Sequence, residues 1–368
     1  MTAELRKTPL NDVHVERGAK MVPFAGWSMP VSYTGIIEEH VYTRTACSLF
    51  DVSHMGRLRI TGKDGEAFLE RICTRNLKDA QPGRCYYTHI CKEDGGILDD
   101  VIVSRFEDSW GMVCNASNHE KIVNWLDKHR AGMNVKVKDV TISTAMVALQ
   151  GPKTRELAEG LVDADLSSIK RYRVKVFPLM MMRIEVYRSG YTGEDGYEVV
   201  VPAGIVKMLL PKLLGTKSEP HPVIKPAGLG SRDTLRLEAG MPLYGQELHE
   251  NVDSLTAGQG WCVHLEKDFI GAQAMRKVKE QGLPTRLVGL ELEGRRIARQ
   301  HHKVLAGGKE VGEVTSGTLS PTLGKSIAMA YVRAEHSSEG SELGIDLGRQ
   351  QMAARVVPLP FYKRSAKK

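Results

Sequence analysis

Met146-Val147-Ala148-Leu149-Gln150-Gly151-Pro152 is the stretch on which the fold class turns. The apolar run reads as a strand, and Gly151-Pro152 stops it and starts a helix that carries Leu157 and Leu161. A hairpin around Tyr191 follows, then a helix from about Ile205 to Leu214. The same plan stands upstream. Leu58 and Ile60 alternate as a strand, Gly62 breaks it, and Phe68, Leu69 and Ile72 are spaced as a helix. Strand-like runs follow at 84–91, 97–105 and 110–115. Ser117 and Glu120 have capping-box spacing before Ile122, Val123, Trp125 and Leu126, and Val135 and Val137 add a strand. Strand, glycine, helix, strands, helix therefore occurs twice. That predicts two related α+β units with mainly antiparallel sheets.

Outside the repeat, Pro9 reads as the first position of a short helix ended by Gly18, and a second helix runs from about Ile36 to Thr45. From about Arg286 the helical period disappears. Leu287–Leu292, Val311–Thr315, Ile327–Val332 and Ala353–Val357 read as short strands, with a hairpin turn at Gly307-Gly308. This predicts a small all-β domain, closed or sandwiched to protect its edges. Residues 246–285 read as a helical connector.

A chain of 368 residues with 42% apolar residues has room for two or three domains with sizeable cores. No apolar run approaches the roughly 18 residues that would span a bilayer, so a soluble globular protein with no membrane association is expected. The net charge of +7 is diffuse, spread over Lys170–Arg173, Arg295-Arg296 and Lys363–Lys368. A nucleic-acid binder would concentrate it on one element. A polyanionic ligand or an acidic protein partner suits it better, and with it electrostatic docking that salt would weaken. The six cysteines form no Cys-x-x-Cys pair, so a reduced, cytoplasmic protein without a metal site is expected. The adjacent pair His301-His302 reads as surface residues. Met1–Leu5 shows neither a signal nor a transit pattern.

Standard catalytic motifs are missing. Gly228-Leu229-Gly230 has Asp233 where a dinucleotide fingerprint wants its third glycine, and there is no phosphate loop or nucleophile elbow. Hydride transfer and nucleotide hydrolysis are thereby disfavoured. What remains is a set of acids and arginines beside glycine turns. Gly190-Tyr191-Thr192-Gly193-Glu194-Asp195-Gly196-Tyr197-Glu198 reads as a hairpin whose tip carries acids and tyrosines, either as a solvated turn or as a site. Asp99 and Asp100 lie inside an apolar strand and point to opposite faces; alternation alone does not say which is functional. Arg232, at a helix start, suits an ion pair with Asp233 or an anionic or carbonyl-bearing ligand. Trp27 and Trp261 read as core.

Taken in order, these pieces resemble the T-protein family of the glycine cleavage system. The resemblance covers almost the whole chain: Arg6–Leu10, Phe24–Trp27, Ser48–Met55, Gly95–Asp100, Leu149–Pro152, Gly190–Glu198, Arg232–Gly240, Leu243–Gly245, Asp268–Gly271, Val314–Gly317 and Pro360–Arg364. Cys85-Tyr86-Tyr87, the segment 217–226 and Ala257–Trp261 depart from the family pattern. The resemblance implies an α+β, three-domain cloverleaf around a central folate channel. Its first domain would be residues 1–50 with 143–245, its second 51–142, followed by the 246–285 connector and a β-barrel at 286–368. It implies an aminomethyltransferase without a metal. The methylene of an aminomethyl group on the lipoyl arm of the partner H-protein would pass to tetrahydrofolate, releasing ammonia and dihydrolipoyl H-protein. Other glycine cleavage components would be partners. By the same resemblance Asp100 is the catalytic aspartate, Glu198 binds the pterin, Tyr87 and Tyr191 line its site, and Asn115, Met55 and Arg232 contact the ligand. Arg364 would meet the glutamyl tail. Two rivals fit less well: a folate-dependent demethylase of the same superfamily, and a folate-binding protein without transfer chemistry.

Overall fold

A computed structural model describes residues 4–161, 165–166, 168–179, 182–348 and 350–364. Residues 1–3 and 365–368, and the side chain of Leu161, lie outside what it describes. The chain divides into two compact units: Met1–Gly65, Asp79–Tyr86 and Ile102–Asp233 form one, and Glu66–Lys78, Tyr87–Val101 and Thr234–Lys368 form the other.

The first elements are β1 (Arg6–Lys7), α1 (Asn11–Glu16), β2 (Lys20–Phe24), β3 (Trp27–Ser32), α2 (Ile36–Thr45) and β4 (Cys47–Asp51). Helix α1 starts two residues beyond Pro9, which lies in the preceding turn. Next come β5 (Gly56–Thr61), α3 (Gly65–Ile72), β6 (Cys85–Cys91), β7 (Ile97–Arg105), β8 (Trp110–Cys114), α4 (His119–His129) and β9 (Lys136–Asp139). Their strands lie in the order β6–β7–β8–β5–β9. The expected capping box does not form. A 3-10 turn at Ala116–Asn118 precedes α4, its N-cap Asn118 makes no side-chain cap, and Glu120 pairs with Arg6 at 3.0 Å instead.

The second run of the repeat is β10 (Thr144–Gln150), α5 (Thr154–Leu161), β11 (Val174–Leu179), β12 (Met182–Tyr187), β13 (Gly196–Pro202), α6 (Ala203–Leu214) and β14 (Ile224–Pro226). These strands and β4 form a sheet in the order β11–β12–β13–β10–β4–β14. Strand β10 is hydrogen-bonded on both edges and buried along nearly its whole length, which is why its sequence is apolar without alternation. Leu49, Ala145, Val147, Leu149 and Val201 of this sheet pack with Val206, Leu210 and Leu214 of α6.

After α7 (Leu229–Glu238), residues 246–271 are mostly turns, with a 3-10 turn at Gly260–Cys262, and α8 (Ala272–Gln281) follows. The last strands are β15 (Thr285–Leu292), β16 (Lys303–Ala306), β17 (Lys309–Leu319), β18 (Ser326–Arg333), β19 (Glu342–Asp346) and β20 (Gln351–Val357). They close into a barrel, β15–β18–β17–β16–β19–β20, with Gly307-Gly308 turning between β16 and β17. Closure leaves no unpaired edge. Leu290, Val304, Val314, Ala330, Val332 and Ile345 fill it. The end of α7 is fastened to this barrel within the second unit. Arg236, 1% exposed, reaches Glu247 at 2.9 Å, Gln246 at 3.0 Å and Ser316 of β17 at 2.8 Å. Among the described residues no helix is long and apolar enough to cross a membrane.

Candidate active site

In the first unit the hairpin read from sequence is present, with Tyr187 of β12 opposite Glu198 of β13. Alternation on β13 buries Tyr197, whose hydroxyl donates to the Leu166 carbonyl at 3.1 Å. It turns Glu198 to the other face, where the half-buried carboxylate accepts from the Ser189 hydroxyl at 2.5 Å. The tip is not a solvated turn. Arg44 holds Glu194 at 2.9 Å with both side chains almost fully buried, and it also donates to the Thr192 carbonyl at 2.7 Å. Arg188 clamps Asp195 at 2.5 Å, and the Thr192 hydroxyl donates to Gln150 at 2.9 Å. The two acids of the loop are thus engaged by arginines, while Glu198 retains acceptor capacity.

Arg232 lies in the first turn of α7, its guanidinium 5.0 Å from the centre of the Tyr191 ring. One of its nitrogens, Nη1, is buried without a hydrogen-bond partner. Burial pulls the Arg232 pKa down, and Glu198 and Tyr191 pull it back. Met55 and Asn115 lie just beyond the Gly56–Cys114 pair, at one end of the β5–β8 ladder, both half-buried. Beside Met55, His54 is buried with Nδ1 lacking a partner and packs edge-on against Phe24. Burial lowers its pKa to about 4; Asp51 opposes this, and Arg232 and Arg57 add to it. Asp51 is held at about 2: burial pushes it up, but His14, Ser53 and Thr8 outweigh that by hydrogen bonding.

In the second unit Asp99 is completely buried and Asp100 half-buried. The Tyr87 hydroxyl donates to Asp100 Oδ2 at 3.1 Å. The start of β7 is fixed from both sides: Ile97 N–H donates to the Val252 carbonyl, and the Ile97 carbonyl accepts from the Tyr244 hydroxyl. Gly96 permits the close approach, since a Cβ there would meet the Glu250 carbonyl oxygen at 2.0 Å. Trp261 is not a core residue. It is 59% exposed and stacks on the Tyr87 ring at 5.3 Å and 17°. Trp27 is buried, as expected. Tyr87 also meets His89, whose Nε2 lies 3.2 Å from its hydroxyl and whose Nδ1 lies 2.7 Å from Ser254 Oγ. Burial lowers the His89 pKa to about 3. Arg364 is half-buried beyond the segment in which Leu359 and Phe361 pack with Leu237, Ile327 and Met329.

The structure therefore brings Glu198, Tyr191 and Arg232 together, sets Met55 beside Asn115, and joins Asp100 to Tyr87. Sequence reading passed over His54, His89, Ser254 and the exposure of Trp261. His14, His40, His54 and His89 are buried, whereas His301 is exposed, as expected of that pair, and His302 is half-buried. The signal for His89 was available: it stands two residues from Tyr87, on the same face of β6.

Comparison with known proteins gives one answer. Residues 10–267 match the model of the GCVT N-terminal domain, and residues 285–363 match the glycine cleavage T-protein C-terminal barrel domain. The chain is 45% identical over 362 residues to an aminomethyltransferase of Rubrobacter xylanophilus, covering 98% of this chain and 95% of that one. It is 43% identical to an aminomethyltransferase of Moorella thermoacetica, covering 99% and 100%. The crystal structure of the glycine cleavage system aminomethyltransferase T from Bartonella henselae superposes with a TM-score of 0.92 at 32% identity, covering 99% of this chain and all of that one.

Proposed function

The chain belongs to the glycine cleavage T-protein family and is an aminomethyltransferase of the glycine cleavage system, and on that premise we propose that it transfers the methylene of aminomethyl-lipoyl H-protein to tetrahydrofolate. Ammonia and dihydrolipoyl H-protein are the other products, and the remaining glycine cleavage components are its working partners. One observation carries the reading. Glu198, a carboxylate with unused acceptor capacity, shares its surroundings with a buried arginine N–H that has no partner. Buried polar groups left unmatched in a folded protein are costly, and a ligand edge that offers both donors and acceptors would satisfy them. A pterin presents an adjacent N–H and amino group that a carboxylate accepts together, beside ring acceptors suited to an arginine.

When bound, tetrahydrofolate supplies the nitrogen that takes the methylene carbon. The residues of this chain then have separate tasks. Glu198 and Arg232 orient the ligand by hydrogen bonds, Tyr191 offers a flat ring, and Met55 and Asn115 complete its contacts in the first unit. In the second unit Tyr87 holds the Asp100 carboxylate in one orientation, so that Asp100 accepts and returns a proton from a fixed position. Arg364 is assigned to the anionic tail of the folate. All six cysteines are buried thiols, which supports a reducing compartment, the cytoplasm.

The test supplies aminomethyl-loaded H-protein and tetrahydrofolate and follows ammonia release. We expect turnover by the native chain and a loss of roughly 10²-fold or more in Asp100→Asn, with folate binding retained. Absence of ammonia release, with a small methylated amine consumed instead, would replace the reading with a demethylase. Near-normal turnover in Asp100→Asn would remove the role of that aspartate.

A further inference from the structure

The Asp100 carboxylate is the end of a longer line of hydrogen bonds. Ser254 Oγ lies 2.7 Å from His89 Nδ1, His89 Nε2 lies 3.2 Å from Tyr87 Oη, and Tyr87 Oη lies 3.1 Å from Asp100 Oδ2. Proton counting gives the line a direction. An ionised carboxylate only accepts, so the single Tyr87 proton points at Asp100. Toward His89 the tyrosine oxygen then accepts, which puts the imidazole proton on Nε2 and leaves Nδ1 as an acceptor for the Ser254 hydroxyl. The surroundings favour this arrangement. His89 and Ser254 are completely buried, and burial keeps the imidazole neutral by lowering its pKa to about 3.

We infer that Ser254 and His89 are positioning residues for the transfer reaction, fixing Tyr87, and through it Asp100, by a one-directional chain of hydrogen bonds. The ring of Tyr87 is constrained on two sides, stacked on Trp261 and edge-on to His89 at 5.4 Å and 73°. Its remaining freedom is rotation of the hydroxyl. The His89 N–H removes that freedom by occupying the lone pair that would otherwise let the proton turn away from the carboxylate. Each donor in such a chain polarises the next, so Tyr87 also donates more strongly to Asp100 than an isolated phenol would.

The inference rests on the assignment of Asp100 as the catalytic acid–base group, and the experiment keeps the two apart. Turnover and KM for tetrahydrofolate are measured for His89→Leu, His89→Gln, Ser254→Ala, Tyr87→Phe, the double variants of each with Tyr87→Phe, and Asp100→Asn. We expect His89→Leu to lower kcat about tenfold with KM little changed, as a misplaced catalytic group does. His89→Gln, which puts an amide N–H near the position of Nε2, should recover most of that loss. In the Tyr87→Phe background, adding His89→Leu or Ser254→Ala should cost nothing further, because their effect runs through the phenol. A purely structural histidine would cost the same factor in both backgrounds and would gain nothing from glutamine; either result overturns the inference. Should His89→Leu fail to fold, Ser254→Ala and its double with Tyr87→Phe decide by the same criterion. Loss of turnover in Asp100→Asn with none in the His89 and Ser254 variants would remove the relay alone. Retained turnover in Asp100→Asn would remove the assignment and the relay together.

Discussion

Glu194, Asp195 and Glu198 stand within five positions of one another and have three different surroundings. Arg44 takes the first, Arg188 the second, and the third meets a serine hydroxyl. The resemblance to the T-protein family put Glu198 in the pterin site, but the arginine partners of the other two acids were hidden. Arg44 is 150 positions from Glu194, and no local pattern announces such a pair. The same limit hid Trp261, whose stacking partner Tyr87 is distant in the chain and is brought to it by the fold. The distinction has measurable consequences. Glu198→Gln should weaken tetrahydrofolate binding about 10- to 100-fold, the worth of a charge-assisted hydrogen bond, and leave stability near that of the native chain. Glu194→Gln should do the reverse. It removes a buried carboxylate charge from Arg44 and should cost about 1.5–3 kcal/mol in urea unfolding while binding is retained. Unchanged folate affinity in Glu198→Gln, read by calorimetric titration, would remove Glu198 from the ligand site.

Elements with a clear period were legible, and those that break it were not. The β12–β13 hairpin, the strands of the β6–β9 region and most of the barrel follow alternation or turn signals that act locally. Strands β2 and β3 escaped because each contains a proline, Pro23 and Pro30, and Pro30 sits where the register with β2 shifts. Strand β4 escaped because it is buried at every position, with no polar face to mark a period. The Ser117–Glu120 spacing misled because the 3-10 turn moves the helix start and because Arg6, far off in sequence, takes the glutamate. At this scale Gly196 carries a backbone restraint on the hairpin. It pairs with Gln150, and a Cβ there would lie 2.3 Å from the Leu149 carbonyl oxygen and 2.4 Å from Gln150 Nε2. The side chain can swing away, but the carbonyl belongs to β10 and moves only with the strand. Gly196→Ala should therefore lower stability by about 1–3 kcal/mol, as overpacking does, and weaken folate binding by displacing Glu198 two residues on. A native urea midpoint together with native affinity would show that β10 and β13 can separate without cost.

Across the whole molecule, the repeat and the terminal barrel were readable because each is set by local period and turns. The histidines were not, since burial is a property of the packed chain. Burial lowers the pKa of His54, His89, His249 and His264, and the first two, both buried, weigh most in the pH dependence of stability. His54 in the first unit and His89 in the second titrate at about 4 and about 3 when folded, against about 6.5 for an unfolded histidine. Burial is the leading cause in both, because it penalises the charged imidazolium. The sign follows from proton counting. Between the folded and unfolded values the unfolded chain binds a proton that the folded chain refuses, so acid favours unfolding. Each histidine leaves stability intact above pH 6.5 and erodes it as pH falls toward its folded value. By pH 5 the erosion is about 2 kcal/mol for each. Asp51, held at about 2, adds nothing in this window; its contribution is lost only below about pH 4. The melting temperature should therefore fall by roughly 4–8 °C between pH 7.5 and pH 5. His54→Phe, which keeps an aromatic ring against Phe24 and has nothing to protonate, should flatten the dependence of the first unit and leave that of the second. Differential scanning calorimetry over this range checks both points. A melting temperature constant from pH 7.5 to pH 5 would mean that the buried imidazoles accept protons in the folded state, by admitting water to His54 or by rearranging the His89 chain.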